Sequence, residues 1–135
     1  MKRVLAALVL TSACSSTTPP AAPAPIQSAC AFGALAHPGR VFAFADAGAP
    51  VTPATRCSRF VLYDSGSFEL QYGTGAVYPG SYRQSGAALD LQWVGQSVAG
   101  AWHADATLVA DTLSVHYNAI MQLTDFEDAV YARAS

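Results

Sequence analysis

Two histidines and two aspartates in the second half of the chain, with Asn118, have the spacing from which chemistry would first be sought. Residues two apart on an extended chain share a face, so His103 and Asp105 project together, as do Ser114, His116 and Asn118. A two-residue turn at Ala110-Asp111 sets Asp105 opposite His116 and His103 opposite Asn118. The long connection from Gly95 to Gly100 leaves two registers open: one brings Asp90 beside Asp105, the other puts Asp90 opposite Thr107 and Gln92 opposite Asp105. In the first, two carboxylates and an imidazole stand in a row and could hold a divalent cation. In the second the like-charge pair is avoided, and the row is an ordinary solvent face. The solvent-face reading is preferred, so the expectation is no metal and no cofactor. Asp105 and His116 are the residues that would carry a metal otherwise.

Other chemistry-bearing residues lead less far. Asp125, Glu127 and Asp128 put three acids within four residues, which suggests calcium, but the spacing and the missing central glycine exclude an EF-hand loop. Thr124-Asp125 reads better as a turn, with Met121 and Phe126 packing. Gly66-Ser67-Phe68 and Gly80-Ser81-Tyr82 place serines in turn or strand contexts, without the strand-to-helix elbow that exposes a hydrolase nucleophile. Glycine-rich phosphate loops, zincin motifs and Cys-X-X-Cys pairs are missing from the sequence. His37, before Pro38-Gly39, sits in a loop. The chain is therefore expected not to be an enzyme.

The elements that must position these residues are strands. From about residue 40 onward apolar residues recur at every second position in short runs broken by Gly, Asp and Ser, and no stretch has a helical period. The pattern predicts strands over 40–46, 58–63, 67–73, 77–84, 87–94, 101–109, 112–122 and 127–133. Asp64-Ser65-Gly66 suits a three-residue loop pairing Leu62 with Phe68 and Phe60 with Leu70. The Gly73 to Val77 connection allows Tyr72 opposite Tyr78 and Phe68 opposite Tyr82. A turn at Ser85-Gly86 sets Tyr82 against Leu89, Gly80 against Leu91 and Tyr78 against Trp93. The Ala110 turn sets Leu108 against Leu113, Ala106 against Val115, Ala104 against Tyr117 and Trp102 against Ala119. One apolar face results, while Glu69, Gln71, Arg83, Asp90, Asp105 and His116 share the other. With no helix to cover the apolar face, the economical fold is all-β: an antiparallel up-and-down meander of about eight strands, closed or nearly closed as a small barrel. Gly80, in mid-strand on the apolar face, marks a sharp bend or a place where Leu70 and Leu91 close over a missing side chain.

Composition and the N-terminus bear on where such a barrel works. The 135 residues are 52% hydrophobic and 12% charged, with a formal net charge of -2 and Lys2 as the one lysine, which excludes a basic nucleic-acid footprint. Lys2-Arg3 followed by the seven apolar residues Val4 to Leu10 has the form of a secretory signal over 1–13, too short for a membrane span. Thr11-Ser12-Ala13-Cys14 then resembles the lipobox of bacterial lipoproteins, in which the cysteine is acylated and heads the mature chain. Residues 14–29, rich in Pro, Ala and Ser, read as a solvated tether, and 30–135 as the barrel domain. The alternative is ordinary secretion, with cleavage after Ala13 and Cys14 a bystander. If Cys14 is lipidated, Cys30 and Cys57 remain as a pair, and export favours a disulfide between them over the alternative of two buried free thiols.

The run Tyr78-Pro79-Gly80-Ser81-Tyr82, with Gly86, Leu89, Leu91, Trp93, Ala106, Leu108, Leu113, Val115 and Tyr117, resembles the strand-turn-strand rhythm of lipocalin-like small barrels in bacterial lipoproteins. That resemblance covers about two-thirds of the mature chain and implies an eight-stranded barrel whose interior holds a small apolar ligand or its own side chains. Tyr72, Tyr78, Tyr82, Trp93, Trp102 and Tyr117 would line it. The expectation is thus a non-catalytic cell-envelope lipoprotein, joined to the membrane through its N-terminal lipid, that binds a small hydrophobic ligand. The alternative is a structural or interaction module with a filled core that meets another envelope protein through an edge strand near Val41 to Phe44.

Overall fold

The computed structural model describes residues 30–95, 102–118 and 127–135. Alternating apolar and polar side chains, the pattern of a sheet wet on one face, run through eight strands. These are β1 (Arg40–Asp46), β2 (Ser58–Leu62), β3 (Ser67–Tyr72), β4 (Val77–Ser85), β5 (Ala88–Trp93), β6 (His103–Val109), β7 (Thr112–Tyr117) and β8 (Asp128–Arg133). Each pairs antiparallel with the next and β1 pairs with β8, so the meander closes into a barrel, as its sequence pattern predicts. Closure gives every strand two hydrogen-bonded neighbours and removes the edges.

The same closure overturns the docking edge expected near Val41 to Phe44. Strand β1 is hydrogen-bonded to β2 on one side and β8 on the other, and the Phe42 side chain is wholly buried. A bulge at Ala45, between the Phe44 and Asp46 pairings, bends β1 into β8. A second departure from expectation is a single helical turn, α1 (Pro53–Arg56). Four residues are too few to show a helical period, but the local signal is present: Thr52 accepts a hydrogen bond from the Thr55 N–H at 3.2 Å, and Pro53 fills the first helical position.

Turn chemistry sets the registers. The Asp64-Ser65-Gly66 loop, with Gly66 at φ 83°, pairs Phe60 with Leu70 and Leu62 with Phe68 as expected. The Ala110-Asp111 turn likewise pairs Leu108, Ala106 and Ala104 with Leu113, Val115 and Tyr117; the Trp102 to Ala119 pairing lies outside the described residues. Two registers differ from expectation by two residues. Strand β4 sets Tyr78 opposite Leu70 and Gly80 opposite Phe68, because the loop is Gly73-Thr74-Gly75, closed by Tyr72 N–H donating to Ala76 O with Gly75 at φ 91°. Strand β5 sets Trp93 opposite Gly80, Leu91 opposite Tyr82 and Leu89 opposite Gln84, because the turn is Gly86-Ala87. A slip of two keeps every side chain on its face, so the inside and outside of the barrel are unchanged.

On β1 and β2 the outward face is not simply wet. Ala43 and Val61 point outward by parity yet are fully buried. Residues 30–39 run along this side as a strap. Arg59 donates to Gly33 O at 2.8 Å and stacks on Phe32 at 4.3 Å, and Gly39 lies against Val61 and Tyr63. The Cys30–Cys57 disulfide fastens the strap at its start. Beneath it Arg59 donates to Gln71 Oε1 at 2.8 Å, while Gln71 and the Tyr63 hydroxyl both donate to Glu69 Oε2. Partial burial lowers the Arg59 pKa, and burial followed by the bond to Glu69 raises that of Tyr63.

Candidate functional site

From the sequence the inward aromatic positions read as core first and as a ligand site only around a cavity, and the structure fills most of them. Rings touch in sequence across the barrel: Phe44 to Tyr131 at 5.7 Å, Tyr131 to Phe60 at 4.9 Å, Phe60 to Phe68 at 5.8 Å, Phe68 to Trp93 at 4.9 Å and Trp93 to Tyr117 at 6.4 Å. Edge-to-face contacts dominate this series, the arrangement in which ring quadrupoles attract. Leu62, Leu70, Leu91 and Leu113 pack around it with no exposed surface. Of the six aromatic residues named from the sequence, Trp93 and Tyr117 belong to this packed core. Tyr72, Tyr78, Tyr82 and Trp102 are only partly buried against it.

Those four divide between the two ends of the barrel. One end carries the turns at 63–66, 86–87 and 110–111; there the Tyr82 hydroxyl donates to Tyr63 O at 2.8 Å and covers the opening. The other end carries α1 and the 73–75 loop, and we call it the helix end. Tyr72 and Tyr78 meet there edge to face at 5.9 Å as diagonal neighbours, and the Trp102 carbonyl accepts from Trp93 N–H. Beneath them a polar string enters the core. The Tyr117 and Tyr131 hydroxyls share a hydrogen bond of 2.7 Å, Tyr131 reaches Ser58 Oγ at 3.5 Å, and Ser58 donates to Thr55 O at 2.7 Å. Burial holds both tyrosine pKa values above their ordinary value, that of Tyr117 well above it. The Trp93 Nε1–H is buried without a hydrogen-bond partner among the described residues. Tyr131 and Ser58 were not foreseen as site residues. Parity within the predicted 127–133 strand marks Tyr131 as inward, but its partner lies across a ten-residue connection, too long for a turn to set the register.

On the outer face, register resolves the two readings of the aspartate row. Arg83, Asp90, Asp105, His116 and Asp128 are successive cross-strand partners on β4 to β8, so Asp90 does stand opposite Asp105 and the register that avoided this is not adopted. The charges nonetheless do not converge. His116 Nδ1 bonds Asp128 Oδ1 at 2.8 Å, Arg83 lies 3.6 Å from Asp90, and Gln92 donates to Asp90. His103 bonds Asn118 as the turn implies. Among the described residues no three His, Cys, Asp or Glu side chains come together as a metal site. The His116 pKa is raised by its hydrogen bond to Asp128, then by the charge of that same carboxylate. An open hollow of about 770 Å³ is lined by Asp105, His116 and Asp128 of this row together with Thr107, Ser114 and Asp46. Most of the 118–128 acidic segment, and Cys14 with its tether, lie outside the described residues.

Compared with known proteins, the chain matches no family model, no curated protein and no solved structure.

Proposed function

We propose that this chain is an exported, non-catalytic lipoprotein of the bacterial cell envelope, held to the membrane through Cys14, whose barrel is a filled and rigid module presented to its surroundings by its outer surface. The reading as an exported protein rests on the Lys2-Arg3 and Val4 to Leu10 pattern, and a Cys30–Cys57 disulfide suits an oxidising compartment. The observation that carries the choice between a module and a carrier is the unbroken series of ring contacts from Phe44 to Tyr117, which occupies the space a ligand would need. Carriers of drug-sized ligands keep roughly 300–1,000 Å³ of enclosed, mostly apolar volume.

A second reading, capture of a small apolar molecule, is favoured by one specific observation. At the helix end Tyr72, Tyr78 and Trp102 are half-buried above a Trp93 indole N–H with no partner among the described residues, which suits an apolar ligand bearing one acceptor. One experiment separates the two. Lipophilic probes, including a naphthylamine dye and a fatty acid, are titrated into the protein while tryptophan emission is followed, and the purified protein is weighed by native mass spectrometry. A filled module gives no saturable change and no adduct. A saturable shift that Trp93→Phe abolishes overturns the filled-module reading in favour of a carrier.

A further inference from the structure

The described chain begins, at Cys30, at a fixed place on the barrel. The tether that begins at Cys14 ends at Cys30, and the disulfide to Cys57 fixes that exit at the helix end. Cys57 O accepts from Gly73 N–H at 2.7 Å, so the exit lies beside the 73–75 loop and the start of β4. Three large apolar residues are strongly exposed among the described ones: Val77 at 49%, Val94 at 61% and Val109 at 61%. Two of the three are here. Val94 N–H donates to Pro79 O, which puts Val94 beside the exposed Pro79 on the outward side that Val77 also shares. The segments 72–80 and 92–95 of this rim contain no charged residue, and the exposed charge beside the exit, Arg56 of α1, is a cation on a long side chain that can stay at headgroup level. Tyr72 and Tyr78 at the same rim are of the type that favours the headgroup region, apolar in body and polar at the tip.

We propose that this rim, led by Val77 and Val94, rests in the interfacial layer of the bilayer that holds the Cys14 acyl chains. This inference depends on the lipid-anchor reading above. Length and place of attachment argue for the bilayer over a second copy of the chain. Sixteen steps from Cys14 to Cys30 can reach no farther than roughly 50 Å. The anchor therefore confines the rim near the bilayer at high effective concentration, while a neighbouring copy has no such link.

The test uses the full-length lipidated protein in phosphatidylcholine vesicles, with an environment-sensitive dye on Val77→Cys, Val94→Cys or Val109→Cys. Brominated lipid is the quencher, and the mass of the N-terminal peptide is read in the same preparation. The expected result is a blue-shifted emission quenched at least twofold at 77 and 94, with no quenching at 109. A lipidated Cys14 with unquenched dyes at 77 and 94, or with equal quenching at all three, overturns the rim contact alone. A blue shift that brominated lipid leaves untouched marks a protein contact instead and also overturns it. An unmodified Cys14 overturns the anchor reading, and the rim contact falls with it.

Discussion

At the scale of single residues, Gly80 and His116 differ in what they hold together. A Cβ on Gly80 would overlap both the Phe68 ring and the Gln92 carbonyl oxygen, so the missing side chain is what lets Phe68 lie flat across β4. Gly80→Ala should cost about 1–3 kcal/mol of overpacking in urea unfolding. Adding Phe68→Leu should return part of that loss and not all, since the backbone oxygen remains. Gly86→Ala, with open space around it but φ at 60°, should lose about 1–2 kcal/mol for conformational reasons alone, with no gain from Phe68→Leu. The Gly80 position was legible as a bend or a gap, but its occupant was not, because the two-residue slip puts Phe68 there instead of Leu70 or Leu91. His116 acts through charge. Because its pKa in the fold lies above the unfolded value, the bond to Asp128 stabilises fully below about pH 6.5 and is lost as the pH rises through the raised value. Both partners are well exposed, at 58% and 75%, so the effect is small. The melting temperature of Asp128→Asn should fall below that of the parent at pH 5.5 and approach it at pH 8.5, and a difference of constant size would refute the assignment.

At the scale of elements, the strands could be read because alternation is a local property: Phe60, Leu62, Phe68 and Leu70 advertise their face without knowledge of their neighbours. Register is only half local. Asp64-Ser65-Gly66 and Gly73-Thr74-Gly75 are the same kind of loop, each with its last glycine left-handed, yet the second contains two glycines and can be closed in two ways. The strap was not legible as an element, since residues 30–39 have no period at all. Its trace lies instead in β1, where Val41-Phe42-Ala43-Phe44-Ala45 is apolar on both faces, as a strand covered on both sides must be. The disulfide is what keeps this cover in place. Closing 27 residues is worth about 3–4 kcal/mol in the chain-entropy model. The double variant Cys30→Ser/Cys57→Ser should lose stability of that order. Its extra hydrogen exchange should concentrate in residues 30–39 and at the Arg59 and Val61 amides, with β5 to β7 protected until global unfolding. Loss of protection spread evenly over all eight strands would show that the strap holds the whole barrel and not one face.

At the scale of the whole molecule, closure joins the last strand to the first, so that Tyr131 of β8 meets Phe44 of β1 and Ser58 of β2 as well as Tyr117 of β7. Neither the His116 to Asp128 contact nor the Tyr117 to Tyr131 bond can be derived from a short turn, because ten residues separate the end of β7 from the start of β8. Tyr117 and Tyr131 therefore report on the barrel as a whole. Their hydroxyls are bonded to each other inside the core, and burial holds both in the neutral form. In the unfolded chain both would ionise near the ordinary tyrosine value of about 10. The fold binds these two protons more tightly than the unfolded chain does, so stability present below that pH must fall as the pH rises beyond it. In an alkaline titration followed at 295 nm, the last tyrosinate absorbance of the six tyrosines should appear in the same step as the loss of far-ultraviolet circular dichroism. Tyr117→Phe should remove one equivalent from that step and shift it to higher pH, since one fewer proton is released on unfolding. Full ionisation of all six tyrosines with the circular dichroism intact would mean that water reaches the pair through the helix end, and that the barrel opens there without coming apart.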